Sequence, residues 1–185
     1  LVPFTIPISW FYVGVSAYLI ARSGLRVAEK PTLLRHIGAI AIGALLFTSW
    51  DFALEPAMSQ TALPFWYWET PGDFFGTPYR NYAGWFGTSA LFMSVAALIW
   101  RNNPIKLWRN QLVLPLIVYL SNFLFAAGLS LGDGFVIPVT LGLILGVVPC
   151  VILWLKSAVA PESYFDGMKN STSEDAVASL KVAVK

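Results

Sequence analysis

Two carboxylates four residues apart, Asp51 and Glu55, follow directly on an apolar run and open a stretch unlike the rest of the chain. From Trp50 to Trp85 the sequence reads WDFALEPAMSQTALPFWYWETPGDFFGTPYRNYAGW. It holds Asp51, Glu55, Glu69 and Asp73 of the ten acidic residues, together with a dense set of tryptophans, tyrosines and phenylalanines. If one helix carries both members of the first pair, their Cβ atoms lie about 5–6 Å apart on one face. Two like charges that close beside lipid cannot both ionise cheaply, so the pair is expected to keep one proton near neutral pH. It should titrate as a unit rather than as two independent groups. A protonated carboxylic acid beside an apolar pocket is a general acid, and this is the chemistry the spacing points to.

The surrounding residues set the terms on which that chemistry is available. Pro56, Pro64, Pro71 and Pro78, with Gly72, Gly76 and Gly84, predict a structured, non-helical path over much of the segment. Such a path at membrane depth needs cover from protein or a cavity. A plainer role competes for the aromatics, because Trp and Tyr crowd membrane interfaces for amphipathic reasons alone. Asp51 favours function, since ionisable residues at membrane depth are usually functional. Asn122 is expected to form a hydrogen bond between helices and Asp133, in LGDG, to sit in a turn.

The elements that must position these residues are membrane helices. Of 185 residues, 57% are hydrophobic, 12% are charged and 15% aromatic, with a mean hydropathy of +0.66. A water-soluble domain carries about 25% charged residues, so this chain has too little polar surface to face water. A bilayer core needs about 20 mostly apolar residues in a helix, and five segments meet that length, roughly 2–21, 34–54, 82–100, 111–131 and 135–155. The expected fold is all-α: a polytopic transmembrane bundle over 1–155, with an aromatic-rich loop between the second and third helices and a polar, flexible tail at 156–185. Gly38 and Gly43 in the second helix are expected to allow close helix approach.

Orientation follows from the basic residues. Arg22, Arg26, Lys30 and Arg35 mark the first connection and Arg101, Lys106 and Arg109 the third, whereas 51–81 holds only Arg80. The basic loops and the tail are therefore expected on the cytoplasmic side, and Leu1 and the 51–81 segment opposite. Leu1 begins inside an apolar stretch without a charged leader, so no signal peptide is read and the chain is expected to be the C-terminal part of a longer one. The net charge of +2, without a basic face, argues against a nucleic-acid partner. One cysteine, Cys150, and one histidine, His36, exclude an internal disulfide and the usual ligand sets of zinc, haem and iron–sulfur centres. No metal or other cofactor is expected.

At 51–85 the sequence resembles the membrane carotenoid biosynthesis protein family, whose characterised members are carotenoid 1,2-hydratases. The residues that carry the resemblance are Asp51, Glu55-Pro56, Trp66-Tyr67-Trp68, the Gly72-Asp73-Phe74-Phe75-Gly76-Thr77-Pro78 turn, and Asn81-Tyr82-Ala83-Gly84-Trp85. Glu55 stands where the family usually has Asp and keeps the acid. The resemblance implies a cofactor-independent lyase that adds water to the terminal C1–C2 double bond of an acyclic carotenoid. On that reading Asp51 and Glu55 are catalytic, one as proton donor and the other orienting the water. Trp66, Trp68 and Trp85 face the passing cation, and Asp73 and Asn81 complete the substrate-binding set. The implied partners are a lipophilic carotenoid, the lipid bilayer and other enzymes of the pathway. A carotenoid end-group cyclase shares the protonation step and is the alternative enzyme. A non-catalytic transporter or lipid-binding scaffold is the alternative of another class, although the internal repeat of many transporters is not seen.

Overall fold

The computed structural model describes residues 5–102 and 105–161. They form five helices: α1 (Thr5–Gly24), α2 (Leu33–Ser59), α3 (Tyr79–Ile99), α4 (Val113–Gly132) and α5 (Val136–Lys156). The last four are long and apolar enough to cross a bilayer, and the protein is an integral membrane protein. In α1 the apolar run is diluted by Ser9, Tyr12, Ser16, Tyr18 and Arg22, so it matches a span in length rather than in hydropathy. The expected tail begins where α5 ends, and residues 162–185 lie outside the described ones.

Helix α2 is the centre of the bundle. In its most apolar stretch 56% of the residues are buried, against 22–33% in the other three spans, and it packs on all four other helices. Close approach is possible because the contact points are small, as in membrane packing generally. A Cβ on Gly43 would sit 2.9 Å from Met93 Sδ of α3 and 3.3 Å from Tyr18 Cα of α1. Gly142 and Gly146 bring α5 against Ser49 of α2 in the same way, with Ser49 O 2.9 Å from a Cβ at 142 and Ser49 Cβ 3.1 Å from one at 146. The main core joins Val13, Ala17 and Ile20 of α1 to Phe47 and Trp50 of α2, Tyr119 and Phe123 of α4, and Cys150 of α5. On the outside, large apolar side chains such as Leu91, Leu98, Leu114, Leu124, Ile137 and Ile144 are exposed, a surface suited to lipid rather than water.

Two boundaries and one internal turn stand out against the sequence expectation, each for a local reason. Expected to stop near 54, α2 runs on to Ser59. Pro56 removes only the hydrogen bond to the carbonyl of Phe52, Ser59 Oγ donates back to Glu55 O at 2.9 Å, and Gln60 N closes the end on Pro56 O at 2.9 Å. Helix α3 starts at Tyr79 rather than 82, directly after the extended Pro78 (φ −69°, ψ 138°). Within α5 the turn Leu143–Val147 is a π-helix. Pro149 has no N–H and its ring cannot sit over the carbonyl four residues back, and the widened turn absorbs both.

The connections alternate between two ends. One end carries the α1–α2 and α3–α4 connections and the C-terminus of α5. Arg35 Nη1 there donates to Leu25 O at 2.8 Å, and Arg109 Nη2 to Leu155 O and Ser157 O. The other end carries the long α2–α3 loop and the tight α4–α5 turn, tied by Ser130 Oγ donating to Ala53 O at 2.6 Å.

Candidate active site

The extension of α2 to Ser59 puts Asp51 and Glu55 on one helix, one turn apart, and both are buried, at 0% and 2% exposure. Their surroundings are built by the loop that follows. The carbonyl of Met58, near the open end of α2 where helical carbonyls lack partners, accepts from Phe65 N at 2.8 Å and Trp66 N at 3.4 Å. That pair of bonds turns the chain back along the helix. The indole N–H groups of Trp66 and Trp68 then both reach Glu55 Oε1, at 2.8 and 2.7 Å.

Asp51 is held from the other side, by α3. Asn81, in the first turn of that helix, donates from Nδ2 to Asp51 Oδ2 at 2.8 Å. The second oxygen, Oδ1, is buried and has no partner. Two further buried hydroxyls lack a well-formed hydrogen bond, Thr77 Oγ1 just before α3 and Tyr82 Oη just after Asn81, and these two interact with each other. Buried polar atoms are rarely unpartnered, so the free Asp51 oxygen, with these two hydroxyls on the elements that enclose it, marks a place where a small polar molecule or a reacting group belongs.

The turn at 72–78 fixes Thr77. Gly72 N donates to Gly76 O at 2.9 Å and Thr77 N to Phe74 O at 2.8 Å, with Phe75 (φ 46°) and Gly76 (φ 78°) left-handed. A Cβ on Gly72 would overlap the main chain of Thr77 and Pro78, so only glycine permits this closure. Phe75 carries a left-handed backbone that an L side chain adopts at a cost. Its ring is anchored edge-on against Phe74 at 5.2 Å and Phe135 at 6.1 Å. Phe74, Phe52 and Tyr82 pack mutually at ring-centroid distances of 4.9–5.6 Å beside Asp51.

Of the residues expected from the sequence, five are brought together with their roles altered in part. Glu55 with Trp66 and Trp68, and Asp51 with Asn81, form two hydrogen-bonded groups one helical turn apart. Trp66 and Trp68 meet Glu55 through their N–H edges, a contact the sequence did not suggest. Trp85, one turn after Asn81, lies buried among Trp10 (4.0 Å), Phe47 (4.8 Å) and Trp50 (5.6 Å), in the aromatic core below the pair. Asp73 is exposed on the turn and is not among the groups that hold either carboxyl. Asn122 does link helices: Tyr12 Oη donates to its Oδ1 at 3.3 Å and Trp50 Nε1 to its carbonyl at 3.1 Å. Thr77 and Tyr82 were not singled out from sequence, although both lie inside the matched motifs. Among the described residues no three His, Cys, Asp or Glu side chains are grouped to hold a metal ion.

A comparison with protein-family models matches residues 1–149 to the family described as carotenoid biosynthesis protein. No curated protein and no solved structure gave a match to the chain.

Proposed function

The chain belongs to the carotenoid biosynthesis protein family, and from that premise we propose that it is a carotenoid 1,2-hydratase. The observation that carries this reading is the asymmetry of the acid pair. Glu55 Oε1 already accepts two N–H donors, whereas Asp51 offers a buried oxygen with no partner. Asp51 is therefore the member with room for a proton of its own, and it delivers that proton to C2 of the terminal isoprenoid double bond. The alkene electron pair forms the new C–H bond and leaves a tertiary cation at C1. Water adds to C1 and its proton passes to the carboxylate left on Asp51, with Thr77 and Tyr82 hydroxyls placing the water and Glu55 as the fixed negative partner. The balance is alkene plus water to tertiary alcohol, which is redox-neutral, so no redox cofactor enters the scheme.

Aromatic faces of Phe52, Phe74 and Tyr82 beside Asp51, with Trp66, Trp68 and Trp85 around the pair, supply the quadrupoles that favour a passing cation. The substrate is an acyclic carotenoid that reaches the site through the bilayer, and association with other enzymes of the pathway would shorten its transfer. The basic connections set the acid end on the non-cytoplasmic side and the C-terminal tail on the cytoplasmic side.

The test is expression of the full-length protein in a host that accumulates lycopene or a similar acyclic carotenoid, with pigments analysed by mass. Gain of one water supports hydration. An isomer of unchanged mass points to end-group cyclisation, in which the same cation loses a proton instead of capturing water. Unchanged pigment overturns both.

A further inference from the structure

The opposite end of the bundle contains a charged group that the hydration scheme does not use. Arg22, in the last turn of α1, is only 3% exposed, yet its Nε and Nη1 have no hydrogen-bond partner. One face of its guanidinium is covered by the Trp100 ring, 5.5 Å away, and that ring stacks on Tyr18 at 5.8 Å. Tyr18 itself, one turn before Arg22 and on the same helix face, has a buried hydroxyl that interacts with the guanidinium without a well-formed hydrogen bond. A buried guanidinium keeps its charge, and leaving its donors unmade is costly. Other arginines nearby show the ordinary solution, since Arg35 and Arg109 both donate to main-chain carbonyls.

Arg22 lines a shallow cleft, open to solvent, between the turn after α1, the 105–107 segment and Ala158. Two further cations, Arg26 and Lys106, line it with Ser23, against the single carboxylate of Glu29. Arg26 occupies this wall with φ 53°, a left-handed position where glycine or asparagine would cost less. Lys106 Nζ rests 4.2 Å above the Trp108 ring, at the rim. The cleft therefore combines a buried guanidinium, its Nε and Nη1 without a well-formed hydrogen bond, with the exposed cations Arg26 and Lys106, at the level where helices α1, α3 and α5 end. Arginine donors in a planar fork are matched to phosphate oxygens, and basic pockets between membrane helices at the headgroup level bind anionic lipid headgroups.

We propose that this cleft binds a phosphate group, with Arg22 as the buried donor and Arg26 and Lys106 as the closing cations. The phosphate is carried either by an anionic lipid headgroup or by a free phosphate ion, and the proposal is independent of the hydration chemistry at the other end.

The full chain, purified in a neutral detergent, is tested in two arms. In the first, thermal unfolding is followed during titration with sodium phosphate and with sodium chloride at matched ionic strength. In the second, the protein is reconstituted in phosphatidylcholine nanodiscs with or without phosphatidylglycerol, and retained lipid is identified by native mass spectrometry. Saturable protection by phosphate assigns the site to a free ion. Retention of phosphatidylglycerol without such protection assigns it to a lipid headgroup, and either result supports the proposal. In the arm that responds, Lys106→Gln should weaken binding about fivefold and Arg22→Gln should abolish it. Lys106 is exposed and outside the helices, so its variant decides the matter if Arg22→Gln fails to insert. Phosphate behaving like chloride together with no preference for phosphatidylglycerol overturns the site, leaving water as the partner of Arg22. Binding unchanged in both variants overturns it equally.

Discussion

At the end of the bundle where α2 runs into the aromatic loop, two buried carboxyls are held by uncharged N–H donors from Trp66, Trp68 and Asn81. At the other end, guanidinium groups are held by main-chain carbonyls and aromatic faces, Arg35 on Leu25 O, Arg109 on Ser157 O and over Trp154, Arg22 over Trp100. Arg35 and Asp51 share α2, yet about 24 Å of helical rise separates them. Neither end uses the other's charges. The difference teaches why the acid end can be reactive. A buried carboxyl paired with arginine is fixed as an anion, whereas one that meets only amides, indoles and hydroxyls can gain and lose a proton. At the basic end the charge is permanent, and what varies is the anion that meets it.

The sharpest break in that comparison is at Asp51. Asp51→Asn keeps the shape and the Asn81 contact but removes the transferable proton, and conversion per inserted protein should fall about 10²–10⁴-fold. Glu55→Gln should follow closely. Pigment mass analysis against the amount of protein in the membrane measures both, and normal conversion in the two variants would refute an acid pair.

The indole donors come next. Trp66→Phe or Trp68→Phe leaves a ring in place and removes one N–H from Glu55 Oε1. A hydrogen bond to a charged group contributes about 1.5–3 kcal/mol, so each single variant should lose roughly tenfold or more in conversion. Because both donors meet one oxygen, the double variant should be non-additive. Additive losses would instead show that the two rings act independently of one another.

The contrast between ring face and N–H edge marks the limit of what the sequence could say. Apolar runs located all five helices, since a span is a matter of length and composition, and the acid pair stood out because carboxylates are rare at the end of such a run. The direction of a loop side chain is different in kind. Trp66 and Trp68 turn their edges inward where Met58 O captures the chain at Phe65 and Trp66, a tertiary fact with no local signal. Thr77 and Tyr82 were equally hidden, being ordinary residue types whose meaning comes from an unpartnered Asp51 oxygen nearby. The π-turn in α5 had a legible cause in Pro149, but where the helix would widen depended on Gly146 meeting Ser49.

A basic-end variant tests whether the two regions are separable. Arg109→Gln removes the clamp from the start of α4 to the end of α5, including the donations to Leu155 O and Ser157 O. The expected cost is about 1.5 kcal/mol of stability, seen as a lowered unfolding midpoint in detergent. Conversion per folded protein should stay at the wild-type level. A loss of conversion out of proportion to folding would show that the ends communicate through α5 and α2.

The smallest effect is expected at Asp73, and it is the most discriminating about where the chemistry lies. Asp51 and Asp73 are both acids within the family motifs, and the sequence ranked Asp51 first only because it follows directly on an apolar helix. The structure separates them by environment: one is enclosed between α2 and α3 with an oxygen unpartnered, the other exposed on the turn. An exposed carboxylate has water to stabilise it and gives up little when neutralised, so Asp73→Asn should change stability by no more than about 0.5 kcal/mol. Conversion should change by less than about twofold. The turn itself rests on Gly72 and Gly76 rather than on the Asp73 side chain, so its hold on Thr77 survives. If Asp73→Asn instead matched Asp51→Asn in severity, the reacting carboxyl would have to be the solvated one. The buried pair would then be a scaffold, and the distinction between the two ends would rest on packing alone.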